Sequence, residues 1–131
     1  MRTVSKTVIG VDFGTQSARA VLVNAENGEI IYSCRKEYPY NSTPVPAIDC
    51  AENLPCATDY EMTLYELLRN VIPEEYRKTV AGICVDATSL TMVLLAEDGR
   101  ALSELDGWSE AAHARVKLWK YHRAQEKADE A

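Results

Sequence analysis

Thr7-Val8-Ile9-Gly10-Val11-Asp12-Phe13-Gly14-Thr15-Gln16-Ser17-Ala18-Arg19-Ala20-Val21-Leu22-Val23 is the stretch that decides the fold. Two β-branched, apolar runs, Thr7–Val11 and Ala18–Val23, flank a short segment rich in small and hydroxyl-bearing residues. A parallel connection needs about a dozen or more residues, so these two strands are expected to pair antiparallel. Asn24-Ala25-Glu26-Asn27-Gly28 follows with hairpin-turn chemistry, and Glu29–Tyr38 reads as a third strand stopped by Pro39. The front of the chain is therefore a predicted β-meander.

Working outward, the segment from Pro39 to Cys56 holds four prolines and no period, and reads as a loop. Thr58-x-x-Glu61 has the form of a capping box, and Tyr60, Leu64, Leu67, Leu68 and Val71 recur at helical spacing until Pro73. Thr79–Val85 is apolar throughout, which predicts a strand buried on both faces, with Cys84 as a small core residue. Met92–Leu95 and the turn Glu97-Asp98-Gly99-Arg100 predict one more strand opening a hairpin. From Ser109 onward helix formers dominate, yet Arg115–Trp119 alternates like a strand. The last residues look like a helix with no stop signal, so the chain is expected to be a truncated piece of something longer.

Composition narrows the functional classes. With 131 residues, 47% apolar and 26% charged, the chain suits one globular domain or part of one, and not a disordered segment. Its 14 Lys+Arg against 20 Asp+Glu give a net charge of −6 without a basic cluster, which argues against nucleic acid as a partner. No apolar stretch reaches the roughly 20 residues that span a bilayer, and the N-terminal run is too short for a signal peptide. A cytoplasmic, non-membrane protein is expected. Cys34, Cys50, Cys56 and Cys84 form no C-x-x-C pair and lie far from His113 and His122, so zinc has little support. Cys50 and Cys56 are close enough in sequence to bridge, but reduced thiols are expected.

The chemistry concentrates at Asp12–Arg19. The pattern is neither a Walker P-loop nor a dinucleotide fingerprint. Gly14 lets backbone amides approach an anion closely, and Thr15 and Ser17 add hydroxyl donors. An acid at position 12 would repel a phosphate unless a hard cation sat between them, which points to Mg²⁺. The same residues would also serve to close a β-turn and nothing more. From the motif alone both readings stand.

Three stretches carry a family likeness: Ile9–Val21, Gly82-Ile83-Cys84-Val85-Asp86-Ala87-Thr88-Ser89, and Leu118-Trp119-Lys120-Tyr121-His122-Arg123-Ala124-Gln125. In this order they resemble the N-terminal portion of FGGY-family carbohydrate kinases, ribulokinases above all. The resemblance implies an α/β fold, part of a ribonuclease-H-like (actin-like ATPase) domain, with an antiparallel meander followed by helix and parallel strand. Residues 1–131 would then be the N-terminal part of the first kinase domain, with the second domain absent. It further implies transfer of the γ-phosphoryl of ATP, with Mg²⁺, to a sugar such as a ketopentose. Asp12 would lie near the metal, and Gly14, Thr15, Gln16, Ser17 and Arg19 would line the phosphate site. Arg19 has an equal reading as a structural arginine paired to a carboxylate.

On the sugar side the resemblance points to Ala87, Thr88, Ser89, Trp119 and Lys120. Asp86–Ser89 follows a buried strand candidate at its carboxyl end, where open α/β sheets bind ligands. Thr88 and Ser89 would equally stabilise a turn, and Trp119 would equally pack in a core. Ribulokinases commonly show W-K-D-H where this chain has Trp119-Lys120-Tyr121-His122, so the expected acid is replaced by a bulkier neutral residue. Neither His122 nor Asp86 is assigned as catalytic base, because the resemblance places that aspartate downstream of residue 131. The chain by itself is therefore expected to lack turnover. The alternative is an inactive module of the actin-like ATPase superfamily that retains at most anion or sugar binding. A sheet lacking later strands would expose an edge and apolar surface, which favours self-association into a homo-oligomer.

Overall fold

A computed structural model describes residues 4–39, 55–109, 111–119 and 125–131. The chain separates into two compact units, Met1–Pro39 with Thr58–Thr88, and Tyr40–Ala57 with Ser89–Ala131. The first unit is a four-stranded mixed sheet with a helix. Its strands are β1 (Thr7–Phe13), β2 (Ser17–Asn24), β3 (Ile30–Glu37) and β4 (Val80–Ala87), and its helix is α1 (Ala57–Val71). The sheet order is β3-β2-β1-β4, with β1–β2 and β2–β3 antiparallel and β1–β4 parallel. The predicted meander and the parallel return of the fourth strand are both present.

Alternation explains which side of the sheet is covered. Ile9 and Val11 of β1 stand in register with Leu22 and Ala20 of β2, and all four are buried. They form one core with Ala18, Tyr38, Leu67 and Val71, so α1 packs on this face. Tyr60, Leu64 and Leu68 are half-buried beside them, as their helical spacing predicts. The first hairpin turn forms with Gly28 at φ +76° and the Asn24 side chain accepting from the Glu26 amide at 2.9 Å.

Three expectations for this unit are corrected. β4 is not buried on both faces: Ile83 and Val85 are 54% and 57% exposed. The strand is the edge of the sheet, and the helix covers the strands beside it instead. Cys84 is accordingly an exposed thiol and not a core residue. The helix begins at Ala57, so Thr58 lies within its first turn and does not precede it as a cap.

In the second unit the expected strand at Met92–Leu95 is reduced to two isolated bridges, Met92 to Lys117 and Leu95 to Ala101. The tight turn between Ala96 and Arg100 does form, with Gly99 at φ +86° and the Ala96 amide donating to the Arg100 carbonyl at 2.8 Å. Val116–Trp119 is not helical, and the short strand expected there is a single bridging residue, Lys117. A short helix, α2, covers Gln125–Asp129. The predicted helix start near Tyr121 or His122, most of the proline-rich loop, and Cys50 lie outside the described residues.

The uneven covering of the sheet has a measurable consequence. Leu67→Ala, which empties a site 1% exposed in the core, is expected to cost about 2–5 kcal/mol in urea unfolding. Ile83→Thr on the open strand should change stability by less than about 0.5 kcal/mol. Comparable losses for the two would mean that β4 is covered in solution.

Candidate functional site

The register that buries Ile9 and Val11 turns the intervening residues outward. Asp12 pairs across the strands with Arg19, and its carboxylate Oδ2 lies 3.3 Å from Arg19 Nη2 on the sheet face opposite α1. Both side chains are exposed, at 47% and 69%. Such a pair adds little to stability, and the carboxylate is open to a further partner.

Between the two strands only Gly14, Thr15 and Gln16 make the connection. The Gly14 amide donates to the Ser17 carbonyl at 3.0 Å. A Cβ on Gly14 would lie 3.0 Å from that same carbonyl oxygen, so the tight closure itself selects glycine. Around the turn Asp12, Gly14, Thr15, Gln16, Ser17, Arg19 and Arg35 enclose a depression of about 370 Å³. Hydroxyl, amide and guanidinium groups make it a polar site, suited to a small anion and not to an apolar ligand. Every residue expected at the phosphate site is in this lining, together with Arg35.

Tyr38 holds the turn from beneath. Its hydroxyl donates to the Gly14 carbonyl at 2.9 Å and its amide donates to the Gln16 carbonyl at 3.2 Å. The ring is buried against Tyr60, with centroids 4.9 Å apart, and Phe13 meets Tyr60 edge-on at 5.8 Å. Burial first, then the charges of Tyr60, Asp12 and Asp59, push the Tyr38 phenol above its usual range. Burial and then Asp59 push Tyr60 up to about 12. Neither Tyr38 nor Arg35 was singled out from sequence. A tyrosine ahead of Pro39 and an arginine mid-strand carry no local signature, and only the cross-strand register identifies them.

The sugar-side candidates are divided between the two units, and one lies outside the described residues. Ala87 ends β4 beside Phe13, and Thr88 follows it. The Thr88 amide and hydroxyl both donate to the Phe13 carbonyl at 2.9 Å, so this threonine fastens the end of β4 to β1. The Asp86 carboxylate accepts from the Ala87 amide at 2.9 Å. Ser89 and Trp119, both exposed, belong to the second unit. Lys120 lies outside the described residues.

The fold recurs in solved sugar kinases. A gluconate kinase from Lactobacillus acidophilus superposes with a TM-score of 0.64 at 19% identity, over 96% of this chain and 22% of that one. A xylulose kinase from the same organism gives 0.50 at 21% identity, over 72% and 18%. These likenesses establish a shared α/β fold with a mixed sheet. No family model matches the chain. Curated sequences give a narrower placement. The chain is 39% identical to ribulokinase 1 of Staphylococcus saprophyticus over 92% of its length, and 34% identical to a ribulokinase of Mycolicibacterium smegmatis over 95%. A ribulokinase of Halalkalibacterium halodurans is 32% identical over 95%. The chain matches the FGGY, ribulokinase-like family along most of its length, and it spans about a quarter of the length of the curated relatives it matches, 23% and 24% for the first two.

Two outcomes follow for the tyrosines. Tyr38→Phe should cost about 1 kcal/mol and speed amide exchange across Gly14–Ser17, because the Gly14 carbonyl loses its donor. Tyr60→Phe should be neutral or stabilising, since the Tyr60 hydroxyl is buried without a partner among the described residues. Equal destabilisation by both would remove Tyr38 as the support of the turn.

The alkaline limb gives a second check. A phenol with a raised pKa contributes stability that is complete below its ordinary value and lost as pH rises through the folded one. For Tyr60 that window runs from 10.0 to about 12, and Tyr38 acts in the same direction. Tyrosinate absorbance should show a late-titrating fraction coincident with unfolding. Titration of every tyrosine near the ordinary value, without loss of structure, would contradict it.

Proposed function

We propose that this chain is the phosphate-binding part of an ATP-dependent, ribulokinase-like sugar kinase acting on a ketopentose such as ribulose. The observation that carries this reading is the convergence of Asp12, Gly14, Thr15, Gln16, Ser17 and Arg19 on one polar depression, in a chain whose relatives are named ribulokinases. Residues 1–131 correspond in this reading to the N-terminal part of the first kinase domain, of the ribonuclease-H-like (actin-like ATPase) type. The order of meander, helix and parallel strand supports it.

Gly14, Thr15, Gln16, Ser17 and Arg19 bind the phosphates of ATP through backbone amides, hydroxyls and a guanidinium. Mg²⁺ is commonly held by one or two carboxylates together with substrate phosphates and water. The donor set fits that pattern: Asp12 offers a half-exposed carboxylate, and no group of three His, Cys, Asp or Glu forms a closed cage among the described residues. When bound, the metal supplies charge neutralisation at the transferring phosphoryl group. Asp12 would hold it, and Arg19, 3.3 Å from the same carboxylate, would keep that side chain oriented toward the turn. The family resemblance assigns Ala87, Thr88, Ser89, Trp119 and Lys120 to the sugar. A cytoplasmic setting accords with the finding that no helix among the described residues is long and apolar enough to cross a membrane.

Asp12→Asn tests the assignment, because asparagine keeps the size and still accepts from Arg19 while losing the charge. In a protein carrying this segment within a complete kinase, turnover should fall by roughly 100-fold or more, the scale of losing one electrostatic stabiliser. Raised Mg²⁺ should recover part of the loss. Near-normal turnover with unchanged Mg²⁺ dependence would return Asp12 to the role of a turn residue.

A further inference from the structure

The outward face of the sheet carries an ordered row of charge. The register sets Asp86 of β4 beside Asp12 of β1, Asp12 beside Arg19 of β2, and Arg19 beside Arg35 of β3. Opposite charges are neighbours only at the centre of the row. At each end like charges stand side by side, an arrangement that destabilises adjacent strands. Alternating signs would serve the sheet better, so strand pairing does not favour this order.

The arginine end is the more informative. Arg19 has Asp12 at 3.3 Å. Among the described residues the acid paired with Arg35 is distant, with Nη2 3.9 Å from Glu37 Oε1, beyond hydrogen-bonding range. Its Nε donates to Ser17 Oγ at 2.9 Å, which anchors the guanidinium at the turn, and Arg35 lines the same depression as Thr15, Ser17 and Arg19. Two arginines in register therefore line one polar site, and the close carboxylate there, Asp12, stands beside Arg19 on the side away from Arg35.

We propose that Arg35 is a second cationic contact for the bound anion, and that Arg19 and Arg35 together favour a polyphosphate chain over a single phosphate. The proposal deepens the reading of this depression as a phosphate site and rests on it. One phosphate offers oxygens for a single bidentate guanidinium fork. A chain of phosphates carries several charges and reaches both arginines across one interstrand spacing of about 4.8 Å. Its binding would remove the repulsion between Arg19 and Arg35.

Calorimetric titration of the 131-residue chain at low salt, with tripolyphosphate and separately with inorganic phosphate, tests this. The unaltered chain should bind tripolyphosphate more tightly than phosphate. Arg35→Gln should weaken tripolyphosphate binding about tenfold or more, the scale of one lost charge-assisted hydrogen bond, and weaken phosphate far less. Arg35→Lys, which keeps the charge, should recover part of the affinity, and both variants should keep the unaltered unfolding midpoint to within a few degrees. Retention of tripolyphosphate affinity by Arg35→Gln, to within about twofold, would overturn the role of Arg35 and leave the phosphate site standing. Equal losses for the two ligands would overturn the preference for a polyphosphate. Absence of binding of either ligand by the unaltered chain would overturn the phosphate reading and the role of Arg35 with it.

Discussion

β1 is bonded on both sides, antiparallel to β2 and parallel to β4. Its residues therefore hold two registers at once. Ile9 must meet Leu22 and Ile83, and Asp12 must meet Arg19 and Asp86. A slip of one residue against β2 would send Ile9 and Val11 to the open face and carry Asp12 into the core. Burying a carboxylate against Leu67 and Val71 without a partner would cost far more than any alternative contact returns. The apolar inner face thus fixes where the charged outer face stands, and the position of Asp12 is a consequence of how Ile9 and Val11 pack.

The turn between β1 and β2 inherits this precision. Three residues connect the strands, Gly14 closes on the Ser17 carbonyl, and Tyr38 bonds to the Gly14 and Gln16 carbonyls from the end of β3. Two of the turn's carbonyls are occupied by a residue that is itself locked in the aromatic cluster with Tyr60 and Phe13. An anion meeting such a turn finds donors already ordered, so less conformational entropy is lost on binding. Rigidity comes from the core, and the turn residues Gly14–Ser17 remain half-buried or exposed.

Much of this was readable in the residues. The short spacing between Val11 and Ala18 dictated antiparallel pairing, and the period of Tyr60–Val71 dictated the helix and its buried side. Composition could not reveal what lies next to a strand. Val80–Val85 has the apolar run of a strand buried on both sides, yet it forms an edge, because burial depends on neighbours that the run itself does not specify. The bridges at Met92 and Leu95 show the same limit, since strand propensity needs a partner of matching length. Of the candidate site, the motif residues that line the depression were singled out by their chemistry, and the family likeness supplied the roles proposed for them. Tyr38 and Arg35 were not, because each acts across strands and not along the chain.

The two faces of the sheet also divide the energetic work. Nearly all the burial lies on the α1 side, where Ile9, Val11, Ala20 and Leu22 meet Leu67 and Val71. The opposite face contributes little, since exposed ion pairs such as Asp12–Arg19 are worth at most about 1 kcal/mol. Substitution on the outer face can therefore change the sign and spacing of charge without endangering the fold. That freedom explains how a row sorted as two acids and two arginines is tolerated: its self-repulsion is screened by water and small beside the core. The repulsion is nevertheless present until a ligand removes it, so the ligand that gains most is one bearing opposite charge to both ends. A divalent cation paired with a polyanion has that form.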